Sequence, residues 1–168
     1  MVRPVLVDAS TEDPVQTALN EAVLREARAW IGTPYRHQAS LRGVGADCLG
    51  LLRGIWRALY GSEPEAVPPY EADGALDKSC DQLAEAGRRW FVEKPLEERQ
   101  PADILLFRWR DHLPARHVAI LAGPSSLIHA YERIGVVESP FASAWQRRLA
   151  HVFSFPSDLP DSNRKARA

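Results

Sequence analysis

Cysteine is scarce in this 168-residue chain, and neither sign of charge is in excess. Only Cys48 and Cys80 occur, too few for a disulfide scaffold and not arranged as a Cys-x-x-Cys pair. In a reducing compartment both are expected as free thiols. Lys and Arg number 21 against 22 Asp and Glu, a net charge of −1. That leaves no surplus of cations to neutralise phosphates, so nucleic acid is not expected as a partner. No run of about 18 apolar residues is present, and no membrane-spanning helix is expected. The opening segment, MVRPVLVDASTEDP, lacks the apolar stretch of about 7–15 residues that a secretory signal requires. There is no HExxH, no paired-cysteine motif and no short His spacing that sets two ligands on one helical face, so neither a metal nor a cofactor is expected. Internal repeats and low-complexity tracts are lacking too.

What remains is an ordinary globular composition, 45% hydrophobic and 26% charged, at a length that suits one domain. Asp13 can cap a helix over 14–31, with Pro14 in its first turn and Val15, Ala18, Leu19, Ala22, Val23, Ala27 and Trp30 at helical spacing. Gly32 ends it, and a loop carrying Gly43 and Gly45 runs to Ala46. A second helix starts at Asp47 or Cys48 and stops at Gly61, with Leu52, Ile55, Trp56 and Leu59 as its buried stripe. A third is expected over about 75–90. Short apolar or alternating runs then predict strands at Asp103–Phe107, His117–Ala122, Leu127–Tyr131, Gly135–Glu138 and Val152–Phe155, with 123–126 as a hairpin connection. Helices first and an antiparallel meander afterwards predict a single α+β domain with a core over about 14–155. Residues 156–168 are expected to form a flexible tail.

Cys48 stands at the junction of a glycine-containing loop and a helix. Unpaired backbone N–H groups there carry partial positive charge, which favours thiolate and can hold an oxyanion. The same position equally suits a small buried hydrophobe. Cys80, with Asp77 and Asp81 nearby, reads as structural. A nucleophilic cysteine needs a base and a third group to orient that base. His117 opens one predicted strand and His129 lies in the next, so antiparallel pairing can bring the two rings together on one face. Tyr35 precedes Cys48 by a short loop and can donate its phenol. Asp47 is a helix cap, a carboxylate facing a substrate amine, or both. Gly50 allows a strand or a substrate to approach closely. A metal site built from His112, His117 and His129 is the competing use of the same residues.

Five segments in order resemble the NlpC family: Gly32-Thr33-Pro34-Tyr35, Asp47-Cys48-Leu49-Gly50-Leu51, Pro101–Phe107, His117-Val118-Ala119-Ile120 and Ile128-His129-Ala130. These are papain-like cysteine peptidases that cut peptidoglycan stem peptides. The resemblance implies an α+β papain-like fold with N-terminal helices packed on a central antiparallel sheet. It implies Cys48 as nucleophile, His117 as base and His129 as the orienting residue. Tyr35 would stand beside the oxyanion, and Asp47 would match a position that contacts a stem-peptide amine. The segments His37–Ser40, Pro68-Pro69-Tyr70 and Phe153–Pro156 resemble the phage and prophage branch encoded among tail genes, including those of gene transfer agents. Peptidoglycan peptide and phage-like tail proteins are then the expected partners. A chain made in the cytoplasm without a signal peptide would reach the wall on a tail or through lysis. Leu49 replaces the serine of the common Asp-Cys-Ser-Gly, and His37-Gln38-Ala39 replaces Trp-Gly-Gly. The expected activity is hydrolysis between D-glutamate and a diamino acid. A muramoyl-alanine amidase using the same site, or a tail protein kept for its shape, are the alternatives.

Overall fold

The computed structural model describes residues 13–70 and 81–158. Two long helices come first. In α1, Pro14–Ala29, the Asp13 side chain accepts from the Val15 amide, and proline occupies the first turn, where a missing N–H goes unnoticed. Helix α2, Cys48–Tyr60, is capped by Asp47 and ends at Gly61, whose φ of 92° glycine adopts without strain. The loop between them contains a small hairpin, β1 (Ser40–Leu41) with β2 (Gly45–Ala46). Helix α3, Gln82–Trp90, starts at its cap Asp81. The earlier part of the predicted third helix, with Cys80, lies outside the described residues.

The remaining strands are β3 (Val92–Lys94), β4 (Ile104–Phe107), β5 (His117–Gly123), β6 (Ser126–Tyr131), β7 (Gly135–Pro140) and β8 (Leu149–Ser154). They form one antiparallel sheet in the order β3-β8-β4-β5-β6-β7. The expected α+β class holds. The alternation predicts five of the six strands. It misses β3, a short and largely exposed edge strand in which Val92-Glu93-Lys94 offers no apolar pattern. The short helix α4, Ser143–Gln146, is equally silent in the sequence.

Both faces of the sheet are covered, which is why β4 and β5 read as near-continuous apolar runs. Ile104, Leu106, Val118, Ile120, Ile128 and Ala130 face the helices, packing with Leu51, Ile55 and Trp56 of α2 and Val23 and Ala27 of α1. Their alternates Leu105, Phe107, Ala119, Leu121 and Leu127 face the other way, beneath Phe141, Leu149, Val152 and Trp145. At the C-terminal end, Tyr60 donates its hydroxyl to the Pro156 carbonyl at 2.8 Å. Residues 159–168, most of the expected tail, lie outside the described set.

Two glycines of α2 make the helix's close contacts possible. The Trp30 ring of α1 occupies the space a Cβ would need at Gly54, and the Ala39 carbonyl oxygen does so at Gly50. The close approach expected at Gly50 is thus made by the chain's own β1-side loop. Gly54→Ala must displace an indole from a packed core. We expect a loss of about 1–3 kcal/mol in urea unfolding, and an unchanged midpoint would refute this packing.

Candidate active site

The first residue of α2 is Cys48, a free thiol. Burial of the helix's apolar stripe carries its N-terminus to the start of β5. There the backbone N–H groups of Val118, one residue beyond His117, of Leu49 and of Cys48 itself lie near the sulfur. A cleft of about 400 Å³ opens onto Cys48. Its walls are the 65–70 segment, α3 and the Pro114–Arg116 approach to β5.

Asp47 holds this helix start. One carboxylate oxygen accepts from the Gly50 amide at 2.7 Å, and the other accepts from the Gln38 amide at 2.6 Å and from the Tyr70 hydroxyl. The capping role expected of Asp47 is therefore met. Its second expected role, reading a substrate amine, would need one of these internal donors to give way. The residue is 2% exposed and both oxygens are committed to internal donors. Tyr70 is itself tied down by His37 Nε2 and Gln38 Nε2 on its carbonyl, at 2.8 and 2.7 Å. Gln38 takes a φ of 61° to reach both partners. These residues belong to segments the sequence marks only by resemblance, because no local periodicity links 37–38 to 70.

His117 and His129 do meet. Antiparallel pairing of β5 and β6 sets Ile120 opposite Ile128, which makes the two histidines diagonal neighbours on the face away from α2. His117 Nε2 lies 2.8 Å from His129 Nδ1, and His129 Nε2 lies 3.1 Å from Ser139 Oγ on β7. Sequence reasoning missed Ser139. The strand register supplies it, since His129 pairs with Val137. Tyr35 forms a bridge to Ala46 and packs beside the thiol. Burial, with the charges of Cys48 and Asp47 nearby, pushes its phenol up to about 12, so it remains a proton donor at neutral pH. Among the described residues no group of three His, Cys, Asp or Glu side chains is arranged to hold a metal, and His112 does not join His117 and His129 in one.

The electrostatics correct one expectation. A helix start is expected to lower a thiol pKa, and the three nearby backbone N–H groups do act that way. The thiol is half-buried beside the cleft, yet its desolvation outweighs them, Asp47 adds to it, and Cys48 is pushed up to about 11. Burial also drives His117 down to about 3, with His129 contributing, and His129 down to about 4. Both shifts disfavour charge on the resting thiol and imidazole, against the thiolate that a helix start by itself favours.

These shifts have consequences for stability, because folded and unfolded chains then bind different numbers of protons. Below about pH 6.5 the unfolded chain protonates its histidines while the folded one does not, so stability falls as pH drops toward 4 and 3. Above about pH 8.5 the unfolded chain releases the Cys48 proton that the folded one keeps, so stability falls again. Thermal unfolding should show a maximum between these limits. The acid limb should be shallower in a His117→Gln/His129→Asn variant, and an equally steep limb would contradict buried neutral histidines.

Searched against family models, the sequence finds no match, and no curated protein matches it. Similarity emerges in the fold. An NLP/P60-family protein described as similar to lipoprotein, from Staphylococcus aureus, superposes with a TM-score of 0.57 at 19% identity, over 90% of this chain and 45% of its own. The NlpC/p60 domain of the peptidoglycan hydrolase SagA gives 0.57 at 20% identity, over 81% of this chain and 98% of that domain. The peptidoglycan hydrolase RipB from Mycobacterium tuberculosis gives 0.56 at 18%, over 82% and 65%. The chain thus spans under half the length of the staphylococcal protein and nearly all of the SagA domain. Helices first, an antiparallel sheet after, and a cysteine at the start of the second helix make up an architecture with the fold of the NlpC/P60 domain.

Proposed function

We propose that this protein is a cysteine endopeptidase that hydrolyses peptidoglycan stem peptides between D-glutamate and a diamino acid. The observation that supports the reading is the chain of contacts His117–His129–Ser139, together with a thiol at the start of α2 that lies near Val118, the residue after His117. The likeness to peptidoglycan hydrolase domains supports the substrate class. The bond rests on the sequence resemblance to the NlpC family.

His117 Nε2 is engaged with His129, which leaves Nδ1 to receive the thiol proton. A consistent set of tautomers has His117 Nε2–H donating to His129 Nδ1, and His129 Nε2–H donating to Ser139. Because the resting pair is neutral, the proton passes from Cys48 to His117 as sulfur attacks the amide carbon. The charge that develops on the carbonyl oxygen meets the N–H groups at the start of α2 and the protonated phenol of Tyr35. The imidazolium then gives its proton to the departing amine. Water, activated by the same ring, hydrolyses the thioester and restores the thiol. Delivery on a phage-like tail is part of the proposal, and its support is the resemblance of the 37–40, 68–70 and 153–156 segments.

Mass spectrometry of purified muropeptides after incubation tests the activity. The expected products are one fragment ending in glutamate and one beginning with the diamino acid. Release of an intact stem peptide from muramic acid would replace this reading with an amidase. Cys48→Ala and His117→Ala should each abolish turnover without unfolding the protein. His129→Asn, which can still accept a hydrogen bond, should retain more activity than His129→Ala, the difference being worth about 1–2 kcal/mol in kcat/KM. Equal activities for the two His129 variants would remove it from the catalytic line.

A further inference from the structure

The two imidazoles lie in an aromatic shell whose hub is Trp145 of α4. Its indole is stacked on His117 at 5.3 Å between centroids and 27° between planes. It stands edge-on to His129 at 5.3 Å and 87°, and packs on Phe107 at 4.9 Å. The backbone pins it in place. The Trp145 N–H donates to the Ala142 carbonyl at 2.9 Å, and its own carbonyl accepts from the Arg148 N–H at 2.9 Å. Gln146 fastens the same turn by donating to the Phe141 carbonyl at 2.9 Å.

We propose that Trp145 is the positioning residue of His117. Its face fixes the plane of the imidazole, so that Nε2 meets His129 and Nδ1 is left free for the thiol proton, and the same π surface receives the imidazolium formed on proton transfer. The inference rests on the reading of His117 as the base. One hydrogen bond leaves a ring free to pivot about that bond, and stacking removes the remaining freedom. The rings that pack on His117 are those of His129, Phe107, Trp109 and Trp145, and the nearby cation is the Arg148 guanidinium, 4.9 Å from the Trp109 ring. Burial and His129 both oppose a cation on His117, so indole faces are the attraction its site offers the imidazolium: Trp145 at 5.3 Å is the nearer, and Trp109 at 6.5 Å and 22° the farther.

Trp145→Phe and Trp145→Leu both shrink the side chain, and only Phe keeps an aromatic face. On muropeptides, Trp145→Leu should lower kcat by about tenfold with KM nearly unchanged, and Trp145→Phe should stay within roughly threefold of the native protein. Without substrate, nitrogen NMR of histidine-labelled protein should show one Nε2-protonated His117 tautomer in the native protein and in Trp145→Phe. Trp145→Leu should give averaged tautomers. If Leu at this position does not fold, Trp145→Met takes its place. Equal kcat and equal spectra for the aromatic and aliphatic variants overturn the inference. If no muropeptide is cleaved by any form yet the spectra differ as expected, the hydrolase reading fails and the positioning role stands.

Discussion

The docking of α2 onto β5 and β6 is the contact on which the rest of the site depends. Leu51, Ile55 and Trp56 are almost wholly removed from water against Val118, Ile120 and Ile128, and each such side chain contributes about 1.5–3 kcal/mol. That burial fixes the helix axis, and the axis fixes where its first residue falls. Cys48 arrives at the start of β5 because the stripe behind it leaves no other seat. The glycines at 50 and 54 let the helix come close enough, one to the Ala39 carbonyl and the other to Trp30.

The same burial sets the protonation of the site. Removing a thiol and two imidazoles from water penalises their charged forms more than a helix start rewards one of them. In the proposed reaction, the charged pair forms as sulfur attacks the substrate carbonyl. Asp47 illustrates how fully the surroundings are committed. Its carboxylate caps α2 and simultaneously anchors Tyr70, which holds the 65–70 wall of the cleft against the helix start.

Much of this was legible in the sequence because it follows local rules. Helical spacing marks α1 and α2, and Asp13, Asp47 and Gly61 mark their ends. A period of two, with a twelve-residue separation across a short turn, brings His117 and His129 together. What escaped detection depends on contacts between distant segments. Tyr70 meets Asp47 across 23 positions, and Trp145 reaches His117 from a four-residue helix with no periodicity of its own. Strand β3 pairs with β8 through its backbone, so its polar side chains give no sign of it. The direction of the Cys48 shift escaped for the same reason. A helix start is visible in sequence, whereas the depth at which it is buried is a property of the whole fold.

The state of the Cys48–His117 pair at rest is most directly read from the pH dependence of iodoacetamide alkylation, followed by mass spectrometry at the Cys48 peptide without substrate. A neutral pair predicts slow modification at neutral pH and a rising limb above pH 9, toward the value of about 11 that burial imposes. A rate already at its plateau below pH 7, and lost in His117→Ala, would show a standing thiolate–imidazolium pair and contradict the burial-dominated site described above.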